Sequence, residues 1–268
     1  MMAHLMGELP LVSVTNLYQK VSLRSGLDIA TEFGIPKNIY QTWMQPALGK
    51  SHAAALAHFK ALNPDFSFWL YDSKDMDAYM LEFYGAHPIF EIYTNAQFGP
   101  LRTDIWRYCI LFERGGFYFD INKMVEAPLN TIVDPTDVAL ISYEKNLLPT
   151  YLPQGPGVLT QPDRLILNWG FGFAKGHPIL AAVINNIVAD YPKFKNAHVP
   201  NVKEAVLNLT GPHQLTKTIH ELAASSKLSM REAGIDFYGH GNANVHGSWV
   251  RYAAMPSYSR ATDGVIVT

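Results

Sequence analysis

A single cysteine, Cys109, in 268 residues excludes an intrachain disulfide framework. Long apolar runs are missing too: no stretch reaches the roughly 18 residues needed to cross a bilayer. The chain starts with Met1, Met2 and His4 and has no basic segment followed by an apolar one, so no secretory signal is expected. Nor is there an excess of one charge. Lys plus Arg number 21 and Asp plus Glu 23, a net charge of −2, which gives no global basic field for nucleic acid. Two phosphate-binding signatures, Gly-x-Gly-x-x-Gly and Gly-x-x-x-x-Gly-Lys-Ser/Thr, are absent, which sets aside a dinucleotide oxidoreductase and a P-loop kinase. Together these absences lead us to expect a cytoplasmic protein.

What is present suits a folded α/β chain. Hydrophobic residues make up 48% and charged residues 16%, enough for a full core and no sign of disorder. Strands are predicted at Asn38–Trp43, Phe66–Tyr71, Phe117–Ile121 and Val138–Tyr143. Helices are predicted at Ser51–Leu62, Asp75–Tyr84, Leu101–Glu113, Pro178–Tyr191, Val202–Leu209 and Pro212–Ser225. Strand and helix alternate as in a nucleotide-binding half. The region 1–34 reads as a helical extension packed on the core, with short helices at Leu17–Arg24 and Asp28–Phe33, and 35–268 as one domain. Lys145–Gln161, rich in proline, is expected to be a mobile loop.

The stretch Pro100–Glu126 organises the rest. Leu101, Ile105, Tyr108, Cys109 and Phe112 share one face of its helix, so Cys109 reads as a small buried hydrophobe, while Asp104 and Arg107 project together from another face. Gly115-Gly116 stops the helix and a strand follows at once, with Tyr118, Asp120 and Asn122 expected on one side. A carboxylate and a carboxamide two residues apart form an oxygen-rich corner suited to Mg²⁺ or Mn²⁺. Taken singly, Asp104 with Arg107 reads as a surface ion pair and Asp-x-Asn as a turn. Their ordered combination is the informative feature.

Thr103-Asp104-Ile105-Trp106-Arg107-Tyr108, then Gly115-Gly116-Phe117-Tyr118-Phe119-Asp120-Ile121-Asn122, resembles the signature of glycosyltransferase family 32, the DXD sugar-binding group. One position departs: Asn122 stands where a second aspartate is usual. Ile35-Pro36-Lys37-Asn38-Ile39-Tyr40-Gln41-Thr42-Trp43, Asn168 before His177-Pro178, Thr210-Gly211-Pro212 and His246-Gly247-Ser248-Trp249 resemble further elements of the family.

The resemblance implies a GT-A type α/β domain, a mostly parallel sheet with helices on both faces. It implies a retaining, metal-dependent transfer of a hexose from a nucleotide-diphosphate sugar, a UDP-sugar or GDP-mannose, to a saccharide or lipid-linked acceptor. Asp104, Arg107 and Asp120 are the expected catalytic residues. Trp43, Asp104, Arg107, Tyr118, Asn168, Ser248 and Trp249 would bind the donor, with Tyr118 covering it. Asp120, Asn122 and His246 would hold Mn²⁺ or Mg²⁺. Outside the resemblance, His240 and His246 are a poor zinc signature, and Glu126 and Asp163 have no assigned role. Peripheral contact with the inner membrane face would bring the acceptor within reach. Because Asn122 removes a charge, a sugar-nucleotide-binding protein without transfer activity is the alternative.

Overall fold

Apolar residues at alternate positions build the strands, and at three- and four-residue spacing the helices, of a computed structural model that describes residues 11–23, 34–225, 228–242, 245, 248, 261 and 263–268. In chain order the strands are β1 Leu11–Ser13, β2 Asn38–Thr42, β3 Ala47–Gly49, β4 Ser67–Tyr71, β5 Gly116–Phe119, β6 Met124–Val125, β7 Ala139–Leu147, β8 Arg164–Ile166, β9 Gly170–Phe173, β10 His198–Val199, β11 Arg231–Ile235, β12 Gly241–Asn242 and β13 Gly264–Val265. The helices are α1 Lys50–Leu62, α2 Ser73–Tyr84, α3 Pro88–Asn95, α4 Gly99–Arg114, α5 Pro178–Asp190, α6 Val202–Leu209 and α7 Pro212–Ser225.

The central sheet has seven strands in the order β11-β7-β9-β5-β2-β4, with β8 added on β7. β5 pairs in parallel with β2, and β2 with β4, while β9 runs against both of its neighbours, β5 and β7. β4, β2, β5, β7 and β11 therefore point one way, and only β8 and β9 are reversed. This is the mostly parallel α/β sheet expected of a GT-A type domain. Along β5 the side chains alternate between two buried clusters. Tyr118 joins one with α4 and α5, and Phe117 and Phe119 join another with Phe59 of α1, so helices cover both faces.

Local sequence explains where the elements begin and end. Asp72 caps α2 by accepting from the N–H groups of Lys74 and Asp75, and Asp75 returns the bond to the backbone of Asp72. Helix α4 stops at Gly115, whose φ of 64° lies in the left-handed region. Gly116 is required for a second reason. At φ 112° a Cβ there would sit 2.7 Å from the Asn38 carbonyl oxygen, so β5 could not lie this close to β2.

Two expectations change. The strand at Phe117–Ile121 ends at Phe119, because the Lys123 N–H donates to the Asp120 carbonyl at 2.9 Å and closes a turn. Strand alternation therefore no longer applies to Asp120 and Asn122. The helix at Leu17–Arg24 is not formed over its described part; a single 3-10 turn spans Thr15–Leu17 and Gln19 bridges to Trp69 of β4. The helix expected at Asp28–Phe33 lies outside the described residues. β1 pairs antiparallel with β3, which ties the N-terminal segment to the start of α1.

Candidate active site

The parallel strands end on one edge of the sheet, where loops can reach a ligand while the strands hold their roots. β5 brings Asp120 to this edge and β2 brings Gln41. The reversal of β9 places its preceding residues, Asn168 and Trp169, there as well, and the Trp169 carbonyl accepts the Asp120 N–H at 2.8 Å. Helix α4 runs back across the sheet, so its first turns carry Asp104 and Arg107 over the same edge.

The structure joins these residues in one network. Asp104 Oδ1 lies 3.2 Å from Arg107 Nη2 and accepts from Asn168 Nδ2 at 3.0 Å. Asp104 Oδ2 accepts from the Thr210 hydroxyl at 3.0 Å. Arg107 also donates from Nη1 to the Asn168 carbonyl and from Nη2 to Asp120 Oδ1, the latter at 3.2 Å. The Tyr118 hydroxyl donates to Asp120 Oδ1 at 2.6 Å. A Tyr108 hydroxyl completes the set, 2.7 Å from Asn168 Oδ1 and 2.8 Å from the Thr210 carbonyl.

Burial divides the roles. The Asp104 side chain is only 8% exposed and its two oxygens already have three partners, whereas Asp120 is 29% exposed. The described side-chain contacts of Asp120 all use Oδ1. Burial pushes the Asp104 carboxyl up to about 6, against the opposing pull of Arg107, Thr210 and Asn168. Two carboxyl groups, those of Asp104 and Asp120, thus face one guanidinium.

One donor-site expectation needs correction. Tyr118, expected to cover the donor, is 1% exposed. The Arg107 guanidinium sits 4.2 Å above its ring, so Tyr118 lies beneath the site and orients Asp120 from behind. Asn122 is also 1% exposed, and its carbonyl accepts the Val245 N–H at 3.0 Å. The turn that replaces the strand leaves Asn122 buried beside Val245. Trp43 stands at the end of β2 and packs beside Val14, Leu48, Leu56 and Ile121. Ser248 is buried and its N–H donates to the Val245 carbonyl at 3.0 Å, on the segment that contacts Asn122. His246 and Trp249 lie outside the described residues.

Several residues in the network had no assigned role from the sequence. Tyr108 fits the apolar helix face, and only its polar tip hinted at a partner. Thr210 was noted for Thr-Gly-Pro, not as a partner of Asp104. Gln41, fully buried, reaches the Asp120 carbonyl at 3.5 Å. The loop expected to be mobile is fastened by Tyr151 to His213 at 2.8 Å and by Thr160 to Glu232. A cavity of about 470 Å³ lined by Val138, Ala174, Lys175 and His177 opens beyond the far end of β9, away from this network.

A hard divalent cation fits the donor chemistry here. Asp120 offers a carboxylate oxygen and Asn122 a carboxamide, both oxygen donors of the kind Mg²⁺ and Mn²⁺ accept. Among the described residues no three His, Cys, Asp or Glu side chains converge on one point.

Comparison with known proteins agrees with the architecture. Residues 49–139 match the family model described as the glycosyltransferase sugar-binding region containing DXD motif. The chain is 25% identical over 229 residues to an initiation-specific alpha-1,6-mannosyltransferase of Candida albicans, covering 77% of this chain and 57% of that protein. It is 31% identical over 180 residues to inositol phosphoceramide mannosyltransferase 3 of Schizosaccharomyces pombe, covering 66% and 43%. It thus spans about half the length of these relatives. Among solved structures, the PaToxG glycosyltransferase has the same fold, with a TM-score of 0.51 at 17% identity over 82% of this chain and 76% of that one.

Proposed function

Because the chain carries the sugar-binding region of the DXD glycosyltransferases at residues 49–139, we propose that it transfers a hexose from a nucleotide-diphosphate sugar to a hydroxyl of a saccharide or lipid-linked acceptor, with retention of configuration. One observation carries this reading: Asp104, Arg107, Asp120 and Asn168 are brought from three elements to the strand-end edge, and Asp120, at 29% exposure, is the accessible carboxylate among them. The mannosyltransferases among the relatives favour GDP-mannose as the first donor to try, with UDP-sugars second.

In the transfer, the bond from the anomeric carbon to the diphosphate oxygen breaks and its electron pair leaves with the nucleoside diphosphate. The acceptor oxygen forms the new bond from the same face, and its proton passes to the departing phosphate oxygen. Asp104 fixes Asn168 and Arg107, and in this reading Arg107 would donate to the sugar or a phosphate. A dianionic diphosphate would meet a site where two carboxyl groups face one guanidinium, which favours a bound cation. Asp120 would hold Mn²⁺ or Mg²⁺ with Asn122 as a neutral second donor, and the chemistry supplied there is Lewis-acid stabilisation of the leaving diphosphate. His246 is the third ligand in this reading.

The buried Asn122 favours one alternative, a protein that binds sugar nucleotides without transferring the sugar. Purified protein incubated with GDP-mannose or UDP-sugars and Mn²⁺ separates the two. Release of nucleoside diphosphate supports the transferase, while ligand-dependent thermal stabilisation without release supports the binding protein. A cytoplasmic place with peripheral contact at the inner membrane face belongs to the same proposal, and cell fractionation tests it. Among the described residues no helix is long and apolar enough to cross a membrane.

A further inference from the structure

The N-terminal segment lies directly behind the turn that presents Asp120. Val14 is buried in a small cluster with Leu48, Leu56 and Ile121, and Ile121 is the middle residue of Asp120–Asn122. Leu17 and Tyr18 pack on the same cluster. The Tyr18 hydroxyl donates to Gln41 Oε1 at 2.8 Å, and Gln41 Nε2 extends to the Asp120 carbonyl at 3.5 Å. That carbonyl also accepts the Lys123 N–H that closes the turn.

A second brace converges on the same place. His52 of α1 lies with Nε2 2.7 Å from the Ile121 carbonyl. Helix α1 is in turn fixed to the N-terminal segment, since β3, which leads into it, pairs with β1, and Lys60 donates to the Leu17 carbonyl. Two consecutive carbonyls of the turn, those of Asp120 and Ile121, are therefore held by side chains whose own positions depend on residues 11–18.

We infer that residues 11–18 form the back wall of the donor site, and that Tyr18 is a positioning residue acting on the Asp120 turn through Gln41. The physical reason lies in the symmetry of a carboxamide. Its two ends have nearly the same shape, and a fully buried glutamine keeps its N–H₂ towards Asp120 only while something engages its oxygen. Tyr18 is that partner. Without its hydroxyl, Gln41 can turn, the Asp120 carbonyl keeps only the Lys123 N–H, and the carboxylate loses its fixed direction. The word donor here rests on the function proposed above; the brace itself does not.

The test uses the full chain and two readouts. In Tyr18→Phe the ring and its packing remain. Amide hydrogen exchange at Lys123 should speed up by about three- to tenfold, the effect of one hydrogen bond. Binding of GDP-mannose or UDP-glucose with Mn²⁺ should weaken by a similar factor, with Tm nearly unchanged. Gln41→Leu should reproduce both effects, and combining it with Tyr18→Phe should add little, since the two act as a unit. Val14→Ala serves as the packing control, lowering Tm. Unchanged Lys123 exchange in Tyr18→Phe overturns the inference, because a residue that merely packs would leave that amide alone. If wild type binds neither sugar nucleotide, the functional proposal fails while the exchange experiment still decides the brace.

Discussion

Asp104→Asn should stabilise this protein at pH 8 while removing most of its activity. The magnitude follows from burial. A carboxyl moved from 3.8 to about 6 is harder to ionise in the folded chain by about 3 kcal/mol. This penalty is absent only well below 3.8, where the group is protonated in both states, and it begins as pH rises through 3.8. It grows as pH rises through about 6 and is complete above it. Asparagine keeps the shape and an acceptor oxygen, so Asn168 or Thr210 retains its bond. The other partner loses its acceptor, a loss of about 1 kcal/mol; Thr210 also has the Val206 carbonyl within 3.4 Å as a substitute. A net gain of about 2 kcal/mol remains, or a Tm rise of about 4–8 °C for a chain of this size. Activity should move the other way. The Arg107 guanidinium, no longer drawn to Asp104, would pair with Asp120 alone, and loss of one charged contact in the site lowers kcat/KM by about 10- to 100-fold. Thermal melts of both proteins from pH 4 to 8, with donor turnover measured in parallel, check the reasoning. A Tm that falls at pH 8, or a difference that does not shrink towards pH 4, would refute it and show that the Arg107 pair outweighs the burial.

Further outcomes follow from the same site. Asp120→Ala should abolish Mn²⁺-dependent donor binding in a titration, and an unchanged metal requirement would move the metal elsewhere. Asn122→Asp should lower the Mn²⁺ concentration for half-maximal binding yet lower the metal-free Tm, because a buried carboxylate without a cation is costly; calorimetry with and without Mn²⁺ reads both. The pH–rate profile of kcat/KM should fall as pH drops through about 6, where Asp104 takes up a proton and its charge pairing with Arg107 ends. Gly116→Ala should cost about 2–5 kcal/mol through strain at φ 112° and contact with the Asn38 carbonyl, visible as a Tm drop of at least about 5 °C.

β2, β4, β5, β7 and the longer helices were legible because their residues carry a period: Phe117, Tyr118 and Phe119 alternate between two clusters, and Ile179, Leu180, Val183, Ile184 and Ile187 recur at helical spacing and are buried together, whereas β8 and β11 carry no such signal. The joining of Asp104 to Arg107 was legible as well, since residues three apart on a helix must be neighbours. Sequence could not show the end of β5, which is decided by one backbone hydrogen bond from Lys123. Nor could it show that Tyr118 points beneath Arg107, because alternation gives a side of the sheet and not what already covers it. Gln41 and Tyr18 were invisible as partners of the turn: they sit 79 and 102 residues from Asp120, and neither spacing nor composition links them.

The reversed strand β9 has a consequence for how far this chain can be cut. The region matched by the family model, 49–139, ends before β9 begins and starts after β2 ends, yet those two strands are the neighbours of β5. A fragment with those limits would leave β5 with two open edges and Asp104 without Asn168 and Thr210. The most recognisable third of the sequence is thus the middle of a sheet and not an autonomous unit. Cutting at those limits should fail as a single cooperative loss, and the first step in any attempt to graft this site onto another scaffold is to carry β2 and β9 along with it.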